Sequence, residues 1–176
     1  MAENIRPMYT ESEVRNRLSG LVHAIAKDHR EEEIIVIGLL KGSFIFLADL
    51  VRLLHQYHVR MQIAFMFVSS YGNRTVSSGR VQILRDITID ITDRMVLLVD
   101  DILDTGRTLH AVTEMLQARQ PRTLKTCVFL DKPERRAVTF EADFVGFTIP
   151  DVFVVGYGLD CDNRYRELPN ISVLTP

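Results

Sequence analysis

The chain has 176 residues, enough for a single domain (1–176) that buries about 70% of its unfolded surface. Its 47% hydrophobic and 25% charged residues are ordinary globular values, and the net charge of −2 gives no electrostatic reason to expect nucleic acid or an anionic membrane as a partner. Two cysteines, Cys127 and Cys161, and an amino terminus without an apolar signal core predict a cytoplasmic protein without disulfides.

The first sixty residues predict a helix, a strand and a second helix. Residues 10–30 form an amphipathic pattern that Thr10 and Glu13 can cap, and 34–40 is a buried strand. Lys41-Gly42-Ser43 leads from this strand into the next helix, with Ser43 as its predicted N-cap. A lysine and a glycine at such a turn can form an anion site or an ordinary surface turn. The spacing is not that of a nucleotide P-loop, so both interpretations stay open.

A long polar segment, 69–80, follows the strand predicted at 59–68. Its length and its glycines and serines are typical of a functional loop or of a hairpin tip without a function. Residues 81–84 are predicted to pair with the strand that precedes this segment.

The most informative stretch is 95–109, MVLLVDDILDTGRTL. Five apolar residues predict a buried parallel strand, two acids follow at Asp100 and Asp101, and the turn Asp104-Thr105-Gly106-Arg107-Thr108 opens a helix. Such a turn can direct backbone N–H groups and hydroxyls at an anion. Carboxylates beside an anion site indicate a ligand that also carries hydroxyls or a bound divalent cation.

The last third predicts another buried strand, 124–130, which ends at Asp131-Lys132-Pro133. Short strands are predicted at 142–149, 153–156 and 171–174, with a polar loop between the last two. Alternating strands and helices predict an α/β fold in three layers, with a mostly parallel core sheet flanked by helices.

These motifs together resemble one enzyme family. VLLVDDILDTGRTL is similar to the phosphoribosyl-pyrophosphate (PRPP) signature of type I phosphoribosyltransferases, and LLKGS with the tail DFVGFTIPDVFVVGYGLD is similar to the hypoxanthine/guanine phosphoribosyltransferases. The resemblance covers about residues 9–174. It implies the type I phosphoribosyltransferase fold, a small hood subdomain built from the terminal segments, and a mobile lid at about 69–80 that includes Ser69, Ser70, Tyr71 and Gly72.

The resemblance also implies roles for individual residues. The family pattern assigns Asp104 as the general base at purine N7, and Asp100 and Asp101 to the ribose hydroxyls. It implies three further groups: 5′-phosphate binding by Asp104, Thr105, Gly106, Arg107 and Thr108; pyrophosphate binding by Lys41, Gly42, Ser43 and Arg166; and purine binding by Lys132, Phe153, Val154 and Asp160. Mg²⁺ is the implied cofactor, with Asp160, Asp100 and Asp101 as its candidate ligands.

The implied activity is Mg²⁺-dependent transfer of 5-phosphoribosyl from PRPP to N9 of hypoxanthine or guanine, in a homodimer or homotetramer. A xanthine-preferring enzyme and a PRPP-binding regulator of the same fold are the alternatives. The D-T-G at Asp104 is also an aspartic protease motif, but it occurs once and a helix follows it. The five histidines lack metal-ligand spacing.

Overall fold

The computed structural model describes residues 4–29, 32–70 and 81–175. Its three α-helices and nine β-strands are α1 Glu11–Asp28, α2 Phe44–Gln56 and α3 Arg107–Gln117, with β1 Asn4–Tyr9, β2 Ile34–Leu40, β3 Met61–Ser70, β4 Val81–Arg85, β5 Met95–Leu103, β6 Thr123–Asp131, β7 Phe144–Thr148, β8 Val154–Val155 and β9 Ile171–Thr175.

Six strands form the central sheet, in the order β4-β3-β2-β5-β6-β7. Five of these strands, β3, β2, β5, β6 and β7, run parallel to one another. The sixth, β4, pairs antiparallel with β3 at one side of the sheet. Strands β2 and β5 carry continuous apolar runs because helices cover both faces of the sheet. The predicted mostly parallel α/β sheet is confirmed.

The helices divide between the two faces of the sheet. Helices α1 and α2 pack with Val36, Leu97 and Phe129 in one hydrophobic cluster. Helix α3 packs on the other face with Ile37 and Leu98. Neighbouring residues of one strand therefore contribute to different cores, which gives the predicted three layers.

The two predicted helix caps have different outcomes. The Thr10–Glu13 capping box is confirmed, because Thr10 N donates to Glu13 Oε2 at 2.8 Å and Glu13 N donates to Thr10 Oγ1 at 3.3 Å. The prediction for Ser43 is wrong as to its side chain. Ser43 occupies the N-cap position with helical backbone angles and forms no side-chain cap. Its hydroxyl lies buried and donates to the carbonyl of Leu39 instead.

A second, three-stranded sheet combines both ends of the chain, in the order β1-β9-β8. Strand β9 is central and pairs antiparallel with both neighbours. The residue before β8 also joins it, because Leu174 N donates to Phe153 O at 2.9 Å. We refer to these three strands and the loop 156–170 as the hood.

Two strands extend beyond their predicted ends. Strand β5 continues through Asp100 and Asp101 to Leu103, so the acids lie in the strand and not in the turn after it. Strand β3 continues through Ser69 and Ser70, which pair with Gln82 and Val81. Among the described residues, no helix is long and apolar enough to cross a membrane.

Candidate active site

Three turns meet at the carboxyl edge of the central sheet. They follow β2, β5 and β6, which are neighbours in the sheet. Because these strands are parallel, the residues after them emerge on the same side. The turns contain most of the candidate residues: Lys41, Gly42 and Ser43; Asp104, Thr105 and Gly106; and Lys132.

The turn after β2 lies against the acidic end of β5. A side chain at Gly42 would overlap the Asp101 carboxylate, so only glycine fits this approach. The Leu40–Lys41 peptide bond is cis, and the Lys41 ammonium lies 5.9 Å from the centroid of the Phe67 ring. The backbone of this turn therefore faces the site, whereas the Ser43 hydroxyl points into the protein.

Asp100 and Asp101 form a half-buried acidic pair near the end of β5. Asp101 N donates to Asp100 Oδ1 at 3.0 Å. Burial raises the pKa of Asp100 well above its ordinary value, and the neighbouring Asp101 carboxylate adds to this rise. Burial also raises the pKa of Asp101, with partial compensation from the Arg166 guanidinium. An acidic pair of this kind is suited to a ligand that supplies hydroxyl hydrogens or positive charge.

The turn after β5 has the geometry of an anion site. Gly106 precedes α3 in the left-handed region, with φ +81°, and a side chain there would also approach Arg136 Cδ to 3.0 Å and Val138 Cγ2 to 3.1 Å. Arg107 and Thr108 begin α3, whose first turn contains no acidic residue. The N–H groups at the start of α3 and the positive end of the helix dipole meet here, which favours a phosphate.

The segment after β6 holds this turn in place through Arg136, a residue that the sequence analysis did not identify. Arg136 Nη1 donates to the carbonyls of Leu103 at 3.1 Å and Asp104 at 2.5 Å, and Arg136 pairs with Asp131. Ala137 N donates to Thr105 O at 2.9 Å. The rule that singled out Lys132, position after the carboxyl end of a strand, would also have found the two arginines that follow it.

Lys132 is buried beside the same turn. The residue is 7% exposed, and its backbone N donates to Leu103 O at 2.9 Å. Its ammonium makes no hydrogen bond or ion pair with any residue that the structure describes. An ammonium has three donors, so this group is suited to a ligand oxygen.

The hood supplies the remaining candidates. Phe153 is 54% exposed, which is unusual for a phenylalanine, and Val154 beside it is buried. Arg166 Nη2 lies 2.8 Å from Asp160 Oδ1, and Arg166 Nη1 donates to Gly158 O at 2.7 Å. A side chain at Gly158 would overlap the carbonyl of Gly42, so the hood loop packs directly on the turn after β2.

Two groups of candidates are less fully defined. Ser69 and Ser70 end β3, whereas Tyr71 and Gly72 lie outside the described residues, as does most of the predicted lid. Among the residues that the structure describes, no group of three or more His, Cys, Asp or Glu side chains could hold a metal ion. Asp100, Asp101 and Asp160 therefore do not form a complete protein cage.

Comparison with known proteins identifies the class. The family model described as "Phosphoribosyl transferase domain" matches residues 12–162. The chain is 48% identical over 173 residues to a hypoxanthine-guanine phosphoribosyltransferase of Aquifex aeolicus, covering 98% of this chain and 96% of the relative. It is 42% identical over 174 residues to a hypoxanthine phosphoribosyltransferase of Escherichia coli, with 98% and 96% covered.

A solved structure of a related enzyme has the same fold. The hypoxanthine-guanine phosphoribosyltransferase of Bacillus anthracis superposes with a TM-score of 0.90 at 44% identity, covering 97% of this chain and 98% of that one. Fold and sequence together define a type I phosphoribosyltransferase. Within that class, the chain belongs to the hypoxanthine–guanine phosphoribosyltransferase family of purine salvage enzymes.

Proposed function

We propose that the described site carries out the family reaction on the 6-oxopurines hypoxanthine and guanine, joining 5-phosphoribosyl from PRPP to N9 and releasing pyrophosphate. The observation that carries this proposal is Lys132 next to the turn after β5: the residue is largely buried, and its ammonium has no hydrogen-bond partner among the described residues. The Lys132 ammonium needs an oxygen acceptor, and the turn after β5 is suited to a phosphate. A 6-oxopurine and PRPP supply these two partners.

Lys132 selects the base. An ammonium has three donors and no acceptor, so it pairs with a 6-oxo group and opposes a 6-amino group. The exposed ring of Phe153 supplies a stacking surface, and stacking does not distinguish between the two substituents. The backbone of Val154 and Asp160 contact the far edge of the base. Discrimination against adenine therefore depends mainly on Lys132.

PRPP extends across the three turns. The N–H groups of Thr105–Thr108 bind its 5′-phosphate, and Asp100 and Asp101 accept hydrogen bonds from the ribose hydroxyls. The pyrophosphate lies between the Lys41–Ser43 turn, through backbone N–H groups, and Arg166. The contact between Gly158 and Gly42 supports this arrangement, because it brings the hood and the turn after β2 to the same place.

Asp104 acts as general base. The purine N7 proton becomes acidic as the bond to N9 forms, and a carboxylate within hydrogen-bond distance accepts it. Positive charge develops on the ribose as pyrophosphate leaves, and the half-buried acids below the sugar stabilise that charge. Closure of the predicted lid excludes water, which would otherwise hydrolyse the reacting sugar.

Mg²⁺ is the proposed cofactor. This ion takes one or two carboxylates together with substrate phosphates and waters, and rarely a cage made of protein alone. Asp100, Asp101 and Asp160 fit that mode, because they offer carboxylate oxygens and, among the described residues, do not surround an ion by themselves. Bound Mg²⁺ would neutralise the leaving pyrophosphate.

We also propose a cytoplasmic homodimer or homotetramer. The free thiols of Cys127 and Cys161 suit a reducing compartment, and the apolar side chains of Ile63, Phe65 and Leu84, about half exposed, suit an interface between copies. Light scattering coupled to gel filtration measures the assembly directly. A monomer at micromolar concentration would contradict this part of the proposal.

One assay tests the reaction. Purified protein is given PRPP and Mg²⁺ with hypoxanthine, guanine, xanthine, adenine or uracil, and pyrophosphate release is followed with and without EDTA. We expect turnover with hypoxanthine and guanine, loss of it with EDTA, and at least about 10³-fold lower kcat/KM with adenine. Turnover highest with xanthine favours the alternative enzyme. PRPP binding without turnover favours a regulator.

A further inference from the structure

The structure assigns Arg135 as a positioning residue for the reaction: its guanidinium fixes the carboxylate of Asp104 and connects it to the loop that carries Phe153. Arg135 Nε donates to Asp104 Oδ1 at 3.1 Å. Arg135 Nη1 lies 3.7 Å from Asp151 Oδ2, two residues before Phe153. The inference rests on the proposed role of Asp104 as general base.

The two ion pairs of Arg135, with Asp104 and with Asp151, contribute little to the free energy of unfolding. The side chains of Arg135, Asp104 and Asp151 are 47%, 38% and 47% exposed, and ion pairs this accessible are weak because water screens them. Arg136 provides the contrast on the next residue. It is 16% exposed, pairs with Asp131 and holds two backbone carbonyls, which is a structural role. A purely structural explanation therefore fits Arg136 and does not fit Arg135.

The chemical benefit lies in the geometry of a carboxylate. The terminal torsion of an aspartate is broad, so Asp104 without a partner samples many orientations. Arg135 occupies one oxygen and leaves the other to accept the N7 proton. Since proton transfer needs a heavy-atom distance of about 2.6–3.2 Å, a fixed carboxylate reacts more often than a rotating one.

Arg135 stays positively charged while Asp104 accepts the proton. The hydrogen bond to the Asp104 carboxylate and the nearby charge of Asp151 raise the already high pKa of Arg135. The Arg135 guanidinium therefore connects the turn after β5, which carries Asp104, with the loop before β8, which carries Phe153. A purine between Asp104 and Phe153 would then have both of these residues positioned by Arg135.

The test compares Arg135→Gln with Arg119→Gln. Arg119 is a matched control because it is an accessible arginine, 31% exposed, paired with Asp86 at 2.5 Å. We expect Arg135→Gln to lower kcat with hypoxanthine about tenfold, a fraction of the ~10²–10⁴ attributed to a general base, with KM for PRPP changed less than about twofold. Arg135→Lys restores most of the loss, and Arg119→Gln behaves as wild type.

A double-mutant cycle separates positioning from an indirect effect. In an Asp104→Asn background, Arg135→Gln should change kcat less than about twofold, because there is no base left to orient. Asp151→Asn, which leaves the Arg135–Asp104 hydrogen bond in place, should cost about two- to threefold. Melting temperatures confirm that every variant compared is folded.

Three results would overturn the inference: kcat of Arg135→Gln equal to that of Arg119→Gln, an undiminished loss in the Asp104→Asn background, or a rise of KM for PRPP as large as the loss of kcat. These leave the proposed function intact, provided that the wild-type protein turns over. A wild-type protein inactive with all five bases would overturn the proposed function and this inference with it.

Discussion

Charged residues are paired differently at the two edges of the central sheet, the amino edge where the parallel strands begin and the carboxyl edge where they end. At the amino edge, charged residues just before the parallel strands form opposite pairs: Glu33 with Arg94 at 2.7 Å, and Glu32 with Arg122. At the carboxyl edge, two acids lie side by side and a buried lysine has no partner among the described residues. The charges named at the first edge are paired within the protein, whereas the acids and the lysine at the second edge are suited to a ligand.

The difference indicates where function lies. Accessible ion pairs at the amino edge contribute little beyond solubility. The charges at the carboxyl edge are placed where the proposed ligand would offer a 6-oxo oxygen, hydroxyls and phosphate to them. Matched substitutions at the two edges test this comparison.

The largest effect is expected at Lys132. Lys132→Ala removes the proposed donor to the 6-oxo group. We therefore expect kcat/KM for hypoxanthine to fall about 10²-fold or more, whereas KM for PRPP changes less than about threefold. The control is Lys125→Ala on the same strand, β6, at its amino end. Lys125 pairs with Asp28 and is 34% exposed, and its loss should leave kinetics unchanged. Equal losses in both variants would break the comparison.

The second effect concerns the phosphate turn. Gly106→Val combines a β-branched side chain with φ +81° and contacts with Arg136 and Val138, so the turn must change shape. We expect KM for PRPP to rise about tenfold or more and the free energy of unfolding to fall by about 1–3 kcal/mol. Unchanged PRPP kinetics would contradict the assignment.

A glycine far from the site provides the control. Gly20 lies inside α1, and a side chain there meets nothing within 4 Å. Gly20→Ala should therefore stabilise the protein by about 0.5–1 kcal/mol in a urea titration and leave PRPP kinetics unchanged.

The sequence predicted the frame of the site better than its contacts. Apolar runs identified β2, β5 and β6, and strand direction then placed Asp104 and Lys132 at one edge. The sequence did not reveal the contacts between distant segments, such as Gly158 on Gly42. Such contacts depend on tertiary packing, and local patterns carry no signal for them.

The errors at single residues have separate causes. Ser43 matches the composition of an N-cap, yet a carbonyl of the preceding strand takes its hydroxyl. Asp100 and Asp101 interrupt an apolar run, yet β5 continues through them because ladder pairing with β6 continues to Leu103. At Ser43 a local hydrogen bond to the carbonyl four residues earlier replaces the cap. At β5 the pairing with β6 overrides the local preference.

The third prediction concerns the acidic pair and pH. The pKa of Asp100 is raised in the folded protein, so the folded state binds more protons than the unfolded state once pH exceeds the ordinary aspartate value. Stability then falls as pH rises through that window. Asp100→Asn should stabilise the free protein at pH 7 by roughly 1 kcal/mol, with a smaller gain near pH 4, while KM for PRPP rises.

Asp86 provides a control of opposite sign. Its hydrogen bond with Arg119 lowers the pKa of Asp86, so its contribution is present at neutral pH and is lost as pH falls. Asp86→Asn should destabilise the protein slightly at pH 7 and have no effect at low pH. Urea titrations at pH 4, 5.5 and 7 measure both variants. A destabilised Asp100→Asn protein at pH 7 would contradict the view that the acidic pair is costly without ligand.

The smallest effect is expected at the amino edge, with Arg94→Ala. Arg94 is 34% exposed and Glu33 is 39% exposed, and Gln62 Nε2 also donates to Glu33 Oε2 at 2.7 Å, so the carboxylate keeps a partner after the substitution. We expect a loss of less than about 1 kcal/mol in the free energy of unfolding, and a smaller loss in 1 M salt because accessible charges are screened. Values of kcat and KM should stay within about twofold of wild type, since the site lies at the other end of the strands. A tenfold loss of kcat in a stable Arg94→Ala protein would mean that the amino edge also acts in the reaction, and the division between the two edges would then be wrong.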